Sequence, residues 1–216
     1  MVINYKFIPA SKTSKILGGQ NAEITPYQIS LQYYAPSKGF WFFSSAKNWT
    51  HICGGSIVNE FYIVTAAHCV KDQKVEKLSV IAGIKNLKEA NTVTRHLLLD
   101  YKIHPDYVMF NSSDIAVCKV NTGFRFGPTV ASVSLVATEI GGGQNCKLTG
   151  WGYTNAFGVL PPDDLQEGNF TTMTYEECKN DSMPVGPKDL CTKSGFSKGA
   201  CRVRIFINSQ RILIHN

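Results

Sequence analysis

One histidine and one aspartate in this sequence stand in settings that could let them move a proton together near neutral pH. His68 stands in Thr65-Ala66-Ala67-His68-Cys69, and Asp114 follows 46 residues later in Ser113-Asp114-Ile115-Ala116-Val117. An imidazole titrates close to neutrality and can serve first as general base and then as general acid. A carboxylate such as Asp114 could orient such a ring. Each residue also has a plainer reading. His68 could be a satisfied core histidine beside a disulfide, and Asp114 a turn or cap aspartate after Ser112-Ser113.

The cysteines are the next chemically informative set. There are seven, at 53, 69, 118, 146, 178, 191 and 201. No two stand in a Cys-x-x-Cys spacing, which argues against a zinc site. Disulfides are the favoured reading, and with them an oxidising compartment. An odd count leaves a thiol over or a partner missing. Asn48-Trp49-Thr50, Asn111-Ser112-Ser113, Asn169-Phe170-Thr171 and Asn180-Asp181-Ser182 fit the N-glycosylation pattern and agree with secretion.

The elements that must position these residues read as short strands. Apolar runs broken by Gly, Pro, Asn and Asp recur at Tyr27–Gln32, Gly55–Val58, Phe61–Val64, Leu78–Ile81, Arg95–Leu99 and Ile115–Val120. Several alternate apolar with polar, as half-buried strands do. Helical periodicity is weak, save for Glu176-Glu177-Cys178 behind the cap candidate Thr174. The fold expected is all-β and antiparallel, a sandwich or barrel. A boundary is expected around 129–143, where Pro128 and Gly141-Gly142-Gly143 precede a second block of strands beginning at Cys146. Phe40, Trp41, Phe42 and Phe43 lie in a Ser/Lys-rich insertion and either offer a contact surface or fold back on the strands.

Composition narrows the class. With 44% hydrophobic and 18% charged residues in 216, the chain is ordinary for a globular protein. No stretch approaches the roughly 20 apolar residues of a membrane-spanning helix. The start, Met1-Val2-Ile3-Asn4-Tyr5-Lys6, has no continuous apolar core of a secretory signal. The net charge is +6, but the basic residues are scattered without interleaved aromatics, so nucleic acid is not an expected partner.

Five motifs then occur in a fixed order: Ile16-Leu17-Gly18-Gly19, Cys53-Gly54-Gly55-Ser56, Thr65-Ala66-Ala67-His68-Cys69, Asp114-Ile115-Ala116 and Gly150-Trp151-Gly152. Together they resemble the chymotrypsin-like, trypsin-fold serine endopeptidases, and most of all the insect or mite digestive branch. The resemblance covers residues 16–201. It implies two Greek-key antiparallel β-barrels, with a leader or propeptide at 1–15, a first barrel at 16–135 and a partial second barrel at 136–201. His68 would be the general base and Asp114 the carboxylate that orients it. Cys53 would pair with Cys69, and Cys178 with Cys191, while Cys118 takes a position that is usually aliphatic and reads as a buried small hydrophobe. Lys15-Ile16 would be the activation cleavage site, cut by a trypsin-like protease. Gly199 would be the base of the specificity pocket. Without an aspartate there, the preference implied is chymotrypsin- or elastase-like. The resemblance further implies a secreted monomeric zymogen acting on proteins or peptides, with no cofactor, no metal and no membrane partner.

The sequence leaves the family pattern after Cys201. Where that family continues through a short linker into Gly-Asp-Ser-Gly-Gly, residues 202–216 begin Arg202-Val203-Arg204-Ile205-Phe206-Ile207. Ser194 and Ser197 precede Cys201, and Ser209 has no glycine beside it to shape a tight turn. The nucleophile and the backbone donors of the oxyanion hole come from that same segment in the family. The expectation is therefore a C-terminally truncated peptidase with an incomplete second barrel, inactive as written. The alternative is a non-catalytic homologue that acts as a binding module.

Overall fold

The computed structural model describes residues 19–35, 48–109, 113–135, 141–152, 162–180, 191–194, 197–202, 205–208 and 211–214. Lys15, Ile16 and the aromatic run at 40–43 lie outside the described residues. The strands in chain order are β1 (Gln20–Asn21), β2 (Gln28–Ala35), β3 (Asn48–Ile57), β4 (Tyr62–Thr65), β5 (Leu78–Ala82), β6 (His96–Ile103), β7 (Ala116–Val120), β8 (Asn145–Gly150), β9 (Gln166–Met173), β10 (Cys191–Ser194), β11 (Ser197–Arg202), β12 (Ile205–Asn208) and β13 (Arg211–Ile214). Two short helices accompany them, α1 (Ala67–Val70) and α2 (Tyr175–Lys179).

Six strands close into a barrel in the order β2-β3-β4-β7-β6-β5, every pair antiparallel. The two-residue period of the sequence decides which side chains enter it. In β7, Ala116, Cys118 and Val120 are buried while Val117 and Lys119 face out. Ile29 and Leu31 of β2, Ile57 of β3, Ile63 of β4 and Leu78 and Val80 of β5 complete the core. Burying each such aliphatic side chain contributes about 1.5–3 kcal/mol. Closure also leaves no unpaired strand edge in this half.

One glycine of the Cys53-Gly54-Gly55-Ser56 motif has a steric reason. A Cβ on Gly55 would lie 2.6 Å from Ile29 Cδ1 and 2.8 Å from the Val64 carbonyl oxygen. The side chain could yield, but the backbone of β4 could not without breaking register. Gly55→Ala is expected to destabilise the barrel by about 1–3 kcal/mol, read as a lower urea midpoint with an unchanged slope.

The second half is an open sheet in the order β1-β9-β10-β11, with β8 also paired to β9. β1 joins here, opposite Glu167 and Gln166, so the start of the described chain crosses from the first half onto the second. α2 begins at Thr174, whose hydroxyl accepts from the Glu177 backbone while the Glu177 carboxylate accepts from the Thr174 backbone. That reciprocal cap satisfies two donors that would otherwise be orphaned. β12 and β13 form a hairpin of their own, and β13 runs beside β8. Ile205 and Ile207, in the segment that departs from the family pattern, lie in β12. The chain is all-β, one closed barrel followed by a second half that, among the described residues, is a sheet and a hairpin rather than a closed barrel.

The halves are tied together. Ala22, Ile81, Ile84, Trp151 and Leu165 form one buried cluster with contributions from both. Thr149 Oγ1 donates to Gln28 Oε1 at 2.9 Å across the same boundary.

Candidate active site

Strand register brings His68 and Asp114 together. Thr65, the last residue of β4, lies opposite Ala116, the first of β7. Three residues beyond Thr65 stands His68 in α1, and two residues before Ala116 stands Asp114. Both therefore emerge at one end of the barrel. Thr65 Oγ1 donates to the Gly54 carbonyl at 2.8 Å, and the Cys53–Cys69 disulfide ties α1 to β3.

The Asp114 carboxylate makes two bonds to the same residue. Oδ2 lies 2.7 Å from His68 Nδ1, and Oδ1 accepts the His68 backbone N–H at 2.8 Å. Ala66 gives α1 no side-chain cap. Asp114 takes over one of the backbone donors that every helix start leaves unsatisfied. An ionised carboxylate only accepts, so Nδ1 carries the proton and Nε2 is left as the basic nitrogen. The His68 side chain is 46% exposed and that of Asp114 14%, so a shielded carboxylate holds an open ring. Ser113, next to the acid, has φ 53°, the left-handed region that residues with side chains rarely adopt. With the Ile115 N–H donating to Ser113 O at 2.8 Å, it forms the tight turn from which Asp114 projects.

The other expected residues sit as follows. Cys178 in α2 is joined to Cys191 in β10. Gly199 lies in β11, between Ser197 opposite Ser194 and Cys201 opposite Thr192. Cys118 and Cys146 are free thiols and buried. Burial pushes them up to about 12 and about 11, so both stay protonated and unreactive near neutral pH. Asn169 and Asn180, in two of the glycosylation triplets, are exposed.

A polar network escaped the sequence reading. Gln28, Ser30 and Gln32 alternate along β2 on the face away from the barrel core, and all are buried. Ser30 Oγ lies 2.7 Å from His51 Nδ1. Arg95 Nη1 donates to Gln32 Oε1 at 2.6 Å and to Ser79 Oγ at 2.8 Å. The Trp151 ring meets the His51 ring edge-on at 5.3 Å. Burial lowers the His51 pKa to about 4. The one sequence signal was the polar row at period two, which reads as a solvent-facing edge when nothing shows that a second half covers it.

Among the described residues no helix is long and apolar enough to cross a membrane. A family model described as trypsin matches residues 16–202. Trypsin iota of Drosophila melanogaster is 30% identical over 190 residues, covering 84% of this chain and 68% of that protein. The trypsin of Xenopus laevis is 34% identical over 173 residues, 77% of this chain and 62% of its own length. Human trypsin-3 is 30% identical over 179 residues, 80% and 52% respectively. The chain thus spans roughly half to two-thirds of these relatives. With a matched family model over most of its length, a closed antiparallel barrel and a histidine–aspartate pair at the barrel end, this chain belongs to the trypsin family of chymotrypsin-like serine proteases.

Proposed function

We propose that these 216 residues hold the base and the orienting acid of a serine endopeptidase without its nucleophile, and that they hydrolyse no peptide bond by themselves. One observation carries this reading. Asp114 grips both the ring and the backbone of His68, at 2.7 and 2.8 Å, while the sequence after Cys201 runs Arg202-Val203-Arg204 instead of supplying a serine and its glycines. In such a peptidase Nε2 of His68 takes the serine proton and later returns it to the leaving amine, and Asp114 stabilises the imidazolium between those steps. Backbone donors near the serine stabilise the oxyanion.

The finer assignments belong to the same reading. Gly199 removes the charge that would select Lys or Arg and so fits a chymotrypsin- or elastase-like parent. Lys15-Ile16 is the site at which an activating trypsin-like protease would cut. The disulfides fit a secreted protein, and the parent peptidase of this reading would act as a monomer on protein or peptide substrates. The purified chain, cut after Lys15, is expected to take up no fluorophosphonate label while bovine-type trypsin labels in parallel. Label recovered on any serine of this chain overturns the proposal.

A further inference from the structure

We propose that Asn169 is an acceptor for N-linked oligosaccharide, specified by Thr171 on the same face of β9 and modified before that strand pairs, an assignment that rests on the secreted reading. Four triplets in the sequence fit the acceptor pattern, and the fold separates them. Asn169-Phe170-Thr171 is the one whose three side chains all belong to the described residues. Asn169 is exposed, Thr171 is half-buried and Phe170 is buried. Asn180 is exposed as well, but Asp181 and Ser182 lie outside the described residues. The two-residue period of a strand explains the pattern in β9. It sends the Phe170 ring inward and sets the Asn169 amide and the Thr171 hydroxyl side by side on the outer face.

The usual place of this motif is a surface loop, so a strand position serves only where its face is open and polar. Both conditions hold at Asn169. Lys147 lies opposite it on β8, and Lys193 lies opposite Thr171 on β10. Lys147 Nζ donates to Glu167 Oε2 at 3.0 Å, and Gln20 Nε2 donates to Glu167 Oε1 at 3.3 Å. These bonds gather on Glu167, and neither uses the Asn169 amide. A bulky, hydrated sugar chain on this face displaces no apolar packing.

The donor for such a transfer is a lipid-linked oligosaccharide pyrophosphate. The bond from the sugar's anomeric carbon to the pyrophosphate oxygen breaks, and a bond from that carbon to Asn169 Nδ2 forms. The amide gives up one proton, which leaves with the lipid pyrophosphate, and nothing is oxidised or reduced. For the hydroxyl to assist at the amide, the triplet must bend until the two meet. In β9 the backbone holds residues two apart about 7 Å from each other. Thr171 is also paired on both edges, with Asn145 of β8 and Lys193 of β10. Bending the triplet means breaking both pairings. Transfer therefore comes before the sheet forms, and the folded chain is no substrate.

The test expresses the full chain behind a cleavable signal sequence in a secretory host. Glycans are released with a glycoamidase in heavy-oxygen water, which leaves an isotope mark on each asparagine that carried one, and the marked positions are read by mass spectrometry. The mark is expected at Asn169. Thr171→Ala is expected to abolish it there and Thr171→Ser to keep it. A purified oligosaccharyltransferase with its lipid-linked donor is expected to modify Asn169 in the reduced and alkylated chain, which cannot refold, and not in the folded chain. Signal cleavage with Asn169 unmarked, a mark that survives Thr171→Ala, or equal transfer to the folded chain would each overturn the proposal. A chain led by that signal enters the secretory path whatever its natural address, so an unmarked Asn169 counts against the site alone and leaves the secreted reading as it was.

Discussion

Replacing residues 202–216 with the corresponding C-terminal segment of a trypsin relative, from the linker and Gly-Asp-Ser-Gly-Gly onward, is expected to give a peptidase once the chimera is cut after Lys15, where the parent chain is proposed to have no activity. The expectation rests on how much of the machine is already set. The barrel is closed, and His68 is held by two bonds from Asp114. What the graft adds is a hydroxyl for Nε2, backbone donors for the oxyanion and the far wall of the pocket.

The decisive variant is Asp114→Asn in that chimera. Asparagine can still accept the His68 backbone N–H through its oxygen, so α1 keeps its anchor. Its amide nitrogen then faces Nδ1 as a donor. The ring must answer with the other tautomer, protonated at Nε2, and a protonated Nε2 cannot accept the serine proton. The turnover number is expected to fall about 10⁴-fold, with urea stability close to that of the parent chimera. Full activity in this variant would show that the paired carboxylate does not set the base. An inactive parent chimera with an intact barrel would show that His68 and Asp114 are not poised for this chemistry. With Gly199 in place the chimera is expected to prefer aromatic or aliphatic residues at the cleaved position, and Gly199→Asp to shift it toward Lys and Arg.

How much of this could be read in the sequence differs by half. In the first barrel the apolar period and the pairing agree. Ala116, Cys118 and Val120 alternate inward, and the strand they form pairs with the one leading to His68. That His68 and Asp114 meet was legible because motif and strand pattern point to the same barrel end. The second half was less legible. β9 reads Gln166-Glu167-Gly168-Asn169-Phe170, with no apolar alternation, and is a strand because both its edges are paired, one by β8 and the other by β1 and β10. Gln28, Ser30 and Gln32 have the spacing of a solvent-facing row, yet tertiary cover buries them. Hydrophobic periodicity reports which face meets the strand's own core. It is silent about a polar face sealed by another part of the chain.

That sealed face makes stability depend on pH through His51. Its ring is bonded to Ser30 and packed against Trp151, and burial takes its pKa to about 4 from an ordinary 6.5. The sign follows from the two values. Above about 6.5 the ring is neutral in both the folded and the unfolded chain, and the native state loses nothing. Between 6.5 and 4 the unfolded chain holds a proton that the folded chain does not, so each step toward acid favours unfolding. Below about 4 the loss is complete. A gap of this size corresponds to about 3 kcal/mol of stability lost from neutral to acid pH. His96 adds to the slope with the same sign, since burial lowers its pKa as well, but it is common to the parent and to any His51 variant. Urea denaturation at pH 7 and at pH 4 is therefore expected to show a loss smaller by about 3 kcal/mol in His51→Gln than in the parent, whatever the glutamine costs at pH 7. Equal acid losses in the two proteins would mean that the His51 ring takes up its proton inside the fold, and that the face between β2 and Trp151 is open to water.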